Sequence, residues 1–171
     1  MARRAFGLVV VAFGMAFGVS TLAAQDVRVG GQVSFADDAD FGIGPRLAIE
    51  LPGVSEGLWL VGTFDYFFPD EGFLGDGTDV DYWELNGNAI YTIRLPDAPN
   101  VEPYIGAGIN IARFSSQVET EPEVDVSDTN VGLNILGGLD FPLQGFTPFV
   151  EARIEIDGGE QFVVTGGILF P

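Results

Sequence analysis

The sequence predicts an all-β fold, an eight-stranded antiparallel up-and-down transmembrane β-barrel, and three observations carry that expectation. From Val27 to Phe170 apolar residues alternate with Gly, Asn, Ser or charged ones. Side chains on a strand point alternately to opposite faces, so this string describes a two-faced sheet. No stretch of helical spacing interrupts it, and closing the sheet on itself is the simplest way to leave no edge unpaired. The polar positions hold mostly Gly, Ala, Asn and Ser, not the long polar side chains of a solvated face. Small residues suit the interior of a narrow barrel, where side chains just fill the space.

Residues 1–24 have the pattern of a cleavable export signal. Met1-Ala2-Arg3-Arg4 is a charged start, Phe6 to Val19 is an apolar run, and Thr21-Leu22-Ala23-Ala24 offers small residues for cleavage after Ala23 or Ala24. Residues 25–171 are then expected to form one barrel domain. No later run of apolar residues is long enough for a membrane-crossing helix.

The strands follow in order. The first is expected at Val27–Ala36, with Val27, Val29, Val33 and Phe35 on one face and Arg28, Gly30, Gln32 and Ser34 on the other. The second, Phe41–Leu51, contains Pro45, whose missing N–H implies a bulge or a later start near Arg46. The third and fourth are Leu58–Phe68 and Tyr82–Leu95. The fifth, Val101–Phe114, sets Ile105, Ala107, Ile109 and Ile111 against Gly106, Gly108, Asn110 and Ala112. The sixth, Asn130–Leu143, opposes Val131, Leu133 and Ile135 to Gly132, Asn134 and Asp140. Phe146–Ile156 sets Val150, Ala152 and Ile154 against Glu151, Arg153 and Glu155, and Gln161–Phe170 closes the series.

The connections alternate in character. Pro52–Gly57, Pro96–Asn100 and Leu143–Gly145 are compact turns; Asp70–Asp81 and Ser115–Thr129 are long and acidic, with short acidic tips at Asp37–Asp40 and Asp157–Glu160. Short turns at one end and longer loops at the other are the asymmetry of outer-membrane barrels. Trp59, Tyr66, Phe67, Phe68, Tyr82, Trp83 and Tyr104 fall near strand ends, where aromatic girdles at the lipid interface are expected.

Composition excludes several functions. The chain has no Cys, no His and no Lys. Disulfides, thiolate metal sites, lipid attachment at Cys and His-dependent catalysis are therefore ruled out. Beyond the signal, 25 acidic residues stand against five arginines, a formal net charge of −20. Such a polyanion is not expected to bind nucleic acid, whose affinity comes from neutralising phosphates. Glu151 and Glu155 invite a paired-carboxylate mechanism, but residues four apart on a strand are about 13 Å apart along it. Gly106-Ala107-Gly108 is not followed by a helix and is no nucleotide loop.

Four segments carry a resemblance: Pro103-Tyr104-Ile105-Gly106-Ala107-Gly108, Gly132-Leu133-Asn134 through Phe141, Pro148-Phe149-Val150-Glu151-Ala152-Arg153, and Gly166-Gly167-Ile168-Leu169-Phe170. With them most of the mature chain resembles the OmpA/OmpX-like outer-membrane β-barrel superfamily. The resemblance implies a location in the bacterial outer membrane among its lipids, and insertion by the barrel-assembly machinery, which reads a terminal strand ending in an aromatic residue. Two departures are Pro171 after Phe170 and Thr165 where a glycine is usual. Barrels of this general shape that modify lipid A use a catalytic His, which this chain lacks.

Functional expectations follow. No cofactor and no catalytic residue are expected, and the role is structural or surface-interacting. The alternatives are a narrow pore or permeability protein and a soluble periplasmic ligand-binding β-barrel. Buried charge is costly unless paired, so Arg28, Arg46, Arg94 and Arg153 are expected to point inward and pair with Glu50, Asp65, Glu84, Asp140, Glu151 or Glu155 in a lumen network. Asp70, Asp76, Asp79 and Asp81 offer oxygen ligands for weak association of divalent cations at the acidic outer loops, without full EF-hand spacing.

Overall fold

A computed structural model describes residues 26–37, 40–68, 78–118, 124–157 and 161–171. The expected signal, Asp70 and Asp76 lie outside these residues. Eight strands run in sequence order: β1 Val27–Ala36, β2 Asp40–Glu50, β3 Leu58–Phe68, β4 Thr78–Thr92, β5 Glu102–Val118, β6 Val124–Asp140, β7 Thr147–Ile156 and β8 Phe162–Phe170. Each pairs antiparallel with the next, and β8 returns to pair with β1, so the barrel is closed. The expected fold class is the observed one.

The register also sets the shape. Following paired residues once around the wall leads from Leu139 of β6 through Val150, Gly166, Val33, Ile43, Tyr66, Trp83 and Arg113 back to β6 at Thr129. The path closes ten residues from its start. A stagger of this kind tilts every strand by roughly 35–45° to the barrel axis. The narrow tube that results has room for side chains and little else.

Alternation sorts the two faces. Outward Phe35, Ile43, Ile105, Ile109, Leu133, Ile135, Ile154, Val164 and Phe170 are exposed, whereas inward Gln32, Ser34, Thr63, Asp65, Glu84, Asn110, Asn134, Arg153 and Thr165 are buried. An apolar belt this extensive around a polar interior suits lipid, not water, as the outer solvent. Among the described residues no helix is long and apolar enough to cross a membrane.

Several sequence expectations are corrected. Strand β2 runs unbroken from Asp40 to Glu50 with Pro45 inside it, neither bulged nor starting late. The β2–β3 register is the same on both sides of Pro45, and only the pairings at Gly44 and Pro45 are missing. The two backbones press together there, because a Cβ on Gly44 would lie 1.5 Å from the Phe64 carbonyl oxygen. Only glycine fits. The long acidic connections are shorter than expected, since β4 begins at Thr78, β5 continues to Val118 and β6 begins at Val124. The acidic residues of these stretches hid them, but the ladder pairs backbone with backbone from Thr78↔Val118 and Val118↔Val124 inward.

The girdle assignment divides. Phe41 stacks on Phe68, Tyr66 meets Phe68 edge-on and Phe64 lies against Trp83, forming an outer aromatic cluster on one side of the wall. Trp59, Phe67 and Tyr104 are instead buried inside the barrel, and Tyr82 packs against the inner cluster of Ala36, Phe67 and Val163. Position near a strand end suggested lipid, but parity decides the face. Each of three lumen rings lies over a glycine on the neighbouring strand: Phe67 opposite Gly42, Tyr104 opposite Gly138 and Phe149 opposite Gly167.

Candidate functional site

Among the described residues, buried polar chemistry concentrates in the lumen. Inward parity on all eight strands brings polar side chains onto a common axis, and two guanidinium groups organise them. Arg46 on β2 reaches across to β7, donating from Nη2 to Glu151 Oε2 at 2.7 Å. Its guanidinium carbon lies 4.3 Å from the centre of the Phe149 ring, a stacking that a desolvated arginine favours. Tyr104 donates its hydroxyl to the same Glu151 oxygen at 2.9 Å.

Arg153 on β7 serves two carboxylates. Its Nε donates to Glu155 Oε1 at 2.7 Å and its Nη2 to Glu84 Oε2 at 3.1 Å, and all three side chains are fully buried. Tyr82 donates to Glu84 Oε1 at 2.6 Å and Asn110 donates to Glu155 Oε2 at 3.0 Å. Gln161 donates to Glu155 Oε2 at 3.1 Å and also meets Glu84 Oε1.

Between the two arginines Asp65 has no cation. It accepts from Gln32 Nε2 at 2.8 and 2.9 Å and from Ser34 Oγ at 2.9 Å, so neutral donors hold its charge. Asn134 donates to Asn86 at 2.9 Å and to Asn88 at 3.0 Å, bridging β6 to β4 over β5. The intervening position is Gly108, where a Cβ would sit 2.1 Å from the Gly87 carbonyl oxygen and 2.3 Å from Asn88 Oδ1. That is why the inward side of β5 carries glycine.

The remaining sequence-selected residues lie elsewhere. Arg28 is on the inward parity but near the mouth; it pairs with Asp26 at 3.1 Å, a partner not anticipated, and stacks over Trp59 at 4.3 Å. Glu50 is half-buried at the same end. Asp140 is buried and lines a small cavity with Arg28, Arg46, Trp59 and Leu169. Arg94 is a correction. β4 stops at Thr92, so this side chain lies in the turn beyond the wall, 68% exposed and 4.0 Å from Glu56. Parity alone placed it inside; the strand end put it out.

Of the candidate cation ligands, Asp79 lies on β4 and Asp81 is exposed, accepting from the Tyr66 hydroxyl at 2.7 Å. Among the described residues no three acidic side chains converge to hold a metal ion. Gln32, Ser34, Gln161 and the asparagines were not singled out from sequence. Their signal was present, because each shares the inward parity of a charged residue on its own or a neighbouring strand.

No family model and no curated protein matches the chain. Solved structures do. The N-terminal β-barrel domain of Pseudomonas aeruginosa OprF superposes with a TM-score of 0.65 at 14% identity, covering 84% of this chain and 95% of that one. Ail, the attachment invasion locus protein of Yersinia pestis, gives 0.58 at 16% identity over 85% and 94%. Neisserial surface protein A gives 0.58 at 15% identity over 85% and 97%. The fold shared with these structures is the closed eight-stranded antiparallel barrel. At these identities the likeness concerns architecture alone.

Proposed function

We propose that this protein is a non-enzymatic barrel of the bacterial outer membrane, exported by its N-terminal signal, with a structural or surface-interacting role. The observation that carries the reading is the filled lumen. Arg46 and Arg153, each with its carboxylates, cross a tube already closed by Trp59, Tyr104, Leu136 and Phe149 at one end and by Phe67 and Val163 at the other. A barrel so packed works through its outside and its loops. Lipid is the partner of the apolar belt, and the barrel-assembly machinery is the partner for insertion. The acidic rim on the loop side would attract divalent cations and repel polyanions at low salt. In that respect it contrasts with Ail, which has been crystallised with the heparin analogue sucrose octasulfate.

A narrow pore is the second reading, favoured by one observation: among the described residues six buried polar atoms, including Arg46 Nε, Glu151 Oε1 and Arg153 Nη1, have no protein partner. Buried polar groups of this kind are usually served by water, and a hydrated path is what a pore needs. Two measurements test the proposal. Outer-membrane fractionation with heat-modifiable gel migration is expected, and recovery of folded protein in the periplasm without detergent would overturn it. Planar-bilayer recording is expected to be silent; steady conductance through the intact barrel would establish the pore.

A further inference from the structure

Gln161 ties the cluster around Arg153 together. Its Nε2 lies within bonding reach of Tyr82 Oη at 3.1 Å, Glu155 Oε2 at 3.1 Å and Glu84 Oε1. The hydroxyl hydrogen of Tyr82 is committed to Glu84 at 2.6 Å, so both carboxylates meet neutral donors on this side and the guanidinium on the other.

One guanidinium faces two carboxylates, all fully buried. The groups packed around them add no positive charge. β4 supplies Tyr82, β5 supplies Asn110, β3 supplies Asp65 on its own neutral donors, and Glu151 on β7 is taken by Arg46. Each carboxylate puts one oxygen on Arg153 and the other on Gln161, so the two are bridged on both sides.

We propose that Glu84 and Glu155 form a proton-binding pair, holding a single proton between them in the folded barrel. The proton brings the cluster to neutrality with Arg153. The folded chain then carries a proton that the unfolded chain, with solvated carboxylates, releases at neutral pH. Folding stability must fall as pH rises through that range, by up to about tenfold in the unfolding equilibrium per pH unit. The filling of the lumen is thereby linked to pH.

The experiment uses the full mature barrel refolded in detergent micelles, with infrared difference spectra and urea unfolding at two pH values. A protonated-carboxyl band is expected in the parent protein and is lost in both Glu84→Gln and Glu155→Gln, because the remaining carboxylate pairs with Arg153 as an anion. Each variant is expected to keep or raise its urea midpoint at neutral pH, because the amide is neutral without taking up a proton, and to lose the pH slope. Glu151→Gln, which removes the partner of Arg46, serves as the contrast: its band and slope persist while its midpoint falls. Absence of the band from the parent, or its persistence in both the Glu84 and Glu155 variants, overturns the pair.

Discussion

The two buried arginines sit in the same tube and solve the same problem differently. Arg46 has one carboxylate, a tyrosine hydroxyl sharing that carboxylate, and an aromatic ring beneath its plane. Arg153 has two carboxylates and no ring among its contacts. Around Arg46 the charges cancel one to one and packing does the rest. Around Arg153 one guanidinium faces two carboxylates, balanced only with the proposed proton, and Tyr82 on β4, Asn110 on β5 and Gln161 just before β8 add hydrogen bonds. A buried guanidinium is thus tolerated by neutralisation in one place and by a hydrogen-bonded network in the other, and removing each should have a different consequence.

Arg153→Met is expected to have the largest effect. Removing one partner of a buried pair costs about 3–5 kcal/mol because the other charge is stranded, and here two carboxylates lose their common cation. The loss should reach or pass the top of that range in urea unfolding of the refolded barrel. A smaller loss than that of Arg46→Met would invert the comparison.

Arg46→Met comes next, at about 3–5 kcal/mol or a little under. Glu151 keeps the Tyr104 hydroxyl, so it is not left entirely without a donor. The sharper test is the double change Arg46→Met with Glu151→Leu. Replacing both members of a buried pair by apolar groups is often close to neutral, so the double variant should recover most of the loss. A double variant as unstable as the single one would show that the ring, not the ion pair, supports this end of the lumen.

These features were unequally legible in the sequence. The barrel was readable because its period of two persists through nearly every strand, and Arg46, Arg153, Glu84, Glu151 and Glu155 could be assigned inward by counting. Which carboxylate meets which arginine was not readable. Arg153 on β7 reaches Glu84 on β4, a contact across the bore that depends on the ten-residue stagger and on how far each side chain extends. Arg94 shows the opposite failure, since its parity was right and its height along the axis was not. Phe67 and Tyr104 escaped because their place beside glycines on neighbouring strands appears only once register is fixed.

Outside the wall the arithmetic is set by lipid. Ile168 on β8 is an exposed apolar residue of the belt, and Ile168→Arg is expected to cost up to about 2–4 kcal/mol at mid-membrane depth and less towards the interface. The change should also lower the yield of heat-modifiable, folded barrel in lipid vesicles. The same arginine placed at inward Thr165 would stand beside Ser34 and opposite Glu151, where a carboxylate is within the neighbourhood, and a smaller loss is expected. Equal losses would mean that lipid does not cover β8.

The smallest effects are expected at the arginines that do not enter the lumen. Arg113 points outward beside Trp83, exposed on β5, and Arg94 stands in a turn with Glu56 at 4.0 Å, both side chains mostly in solvent. Pairs of this kind contribute between nothing and about 1 kcal/mol, less in salt. Arg113→Met and Arg94→Met should each stay within about 0.5 kcal/mol of the parent barrel, as surface changes usually do. The contrast with Arg153→Met is then several-fold, although all three changes remove the same charge from a chain that has only five arginines beyond its signal. If Arg113→Met matched Arg153→Met, net charge and not burial would govern the stability of this barrel. Repeating the series at high salt separates the two, because screening erases an effect of net charge and leaves a desolvated pair almost untouched.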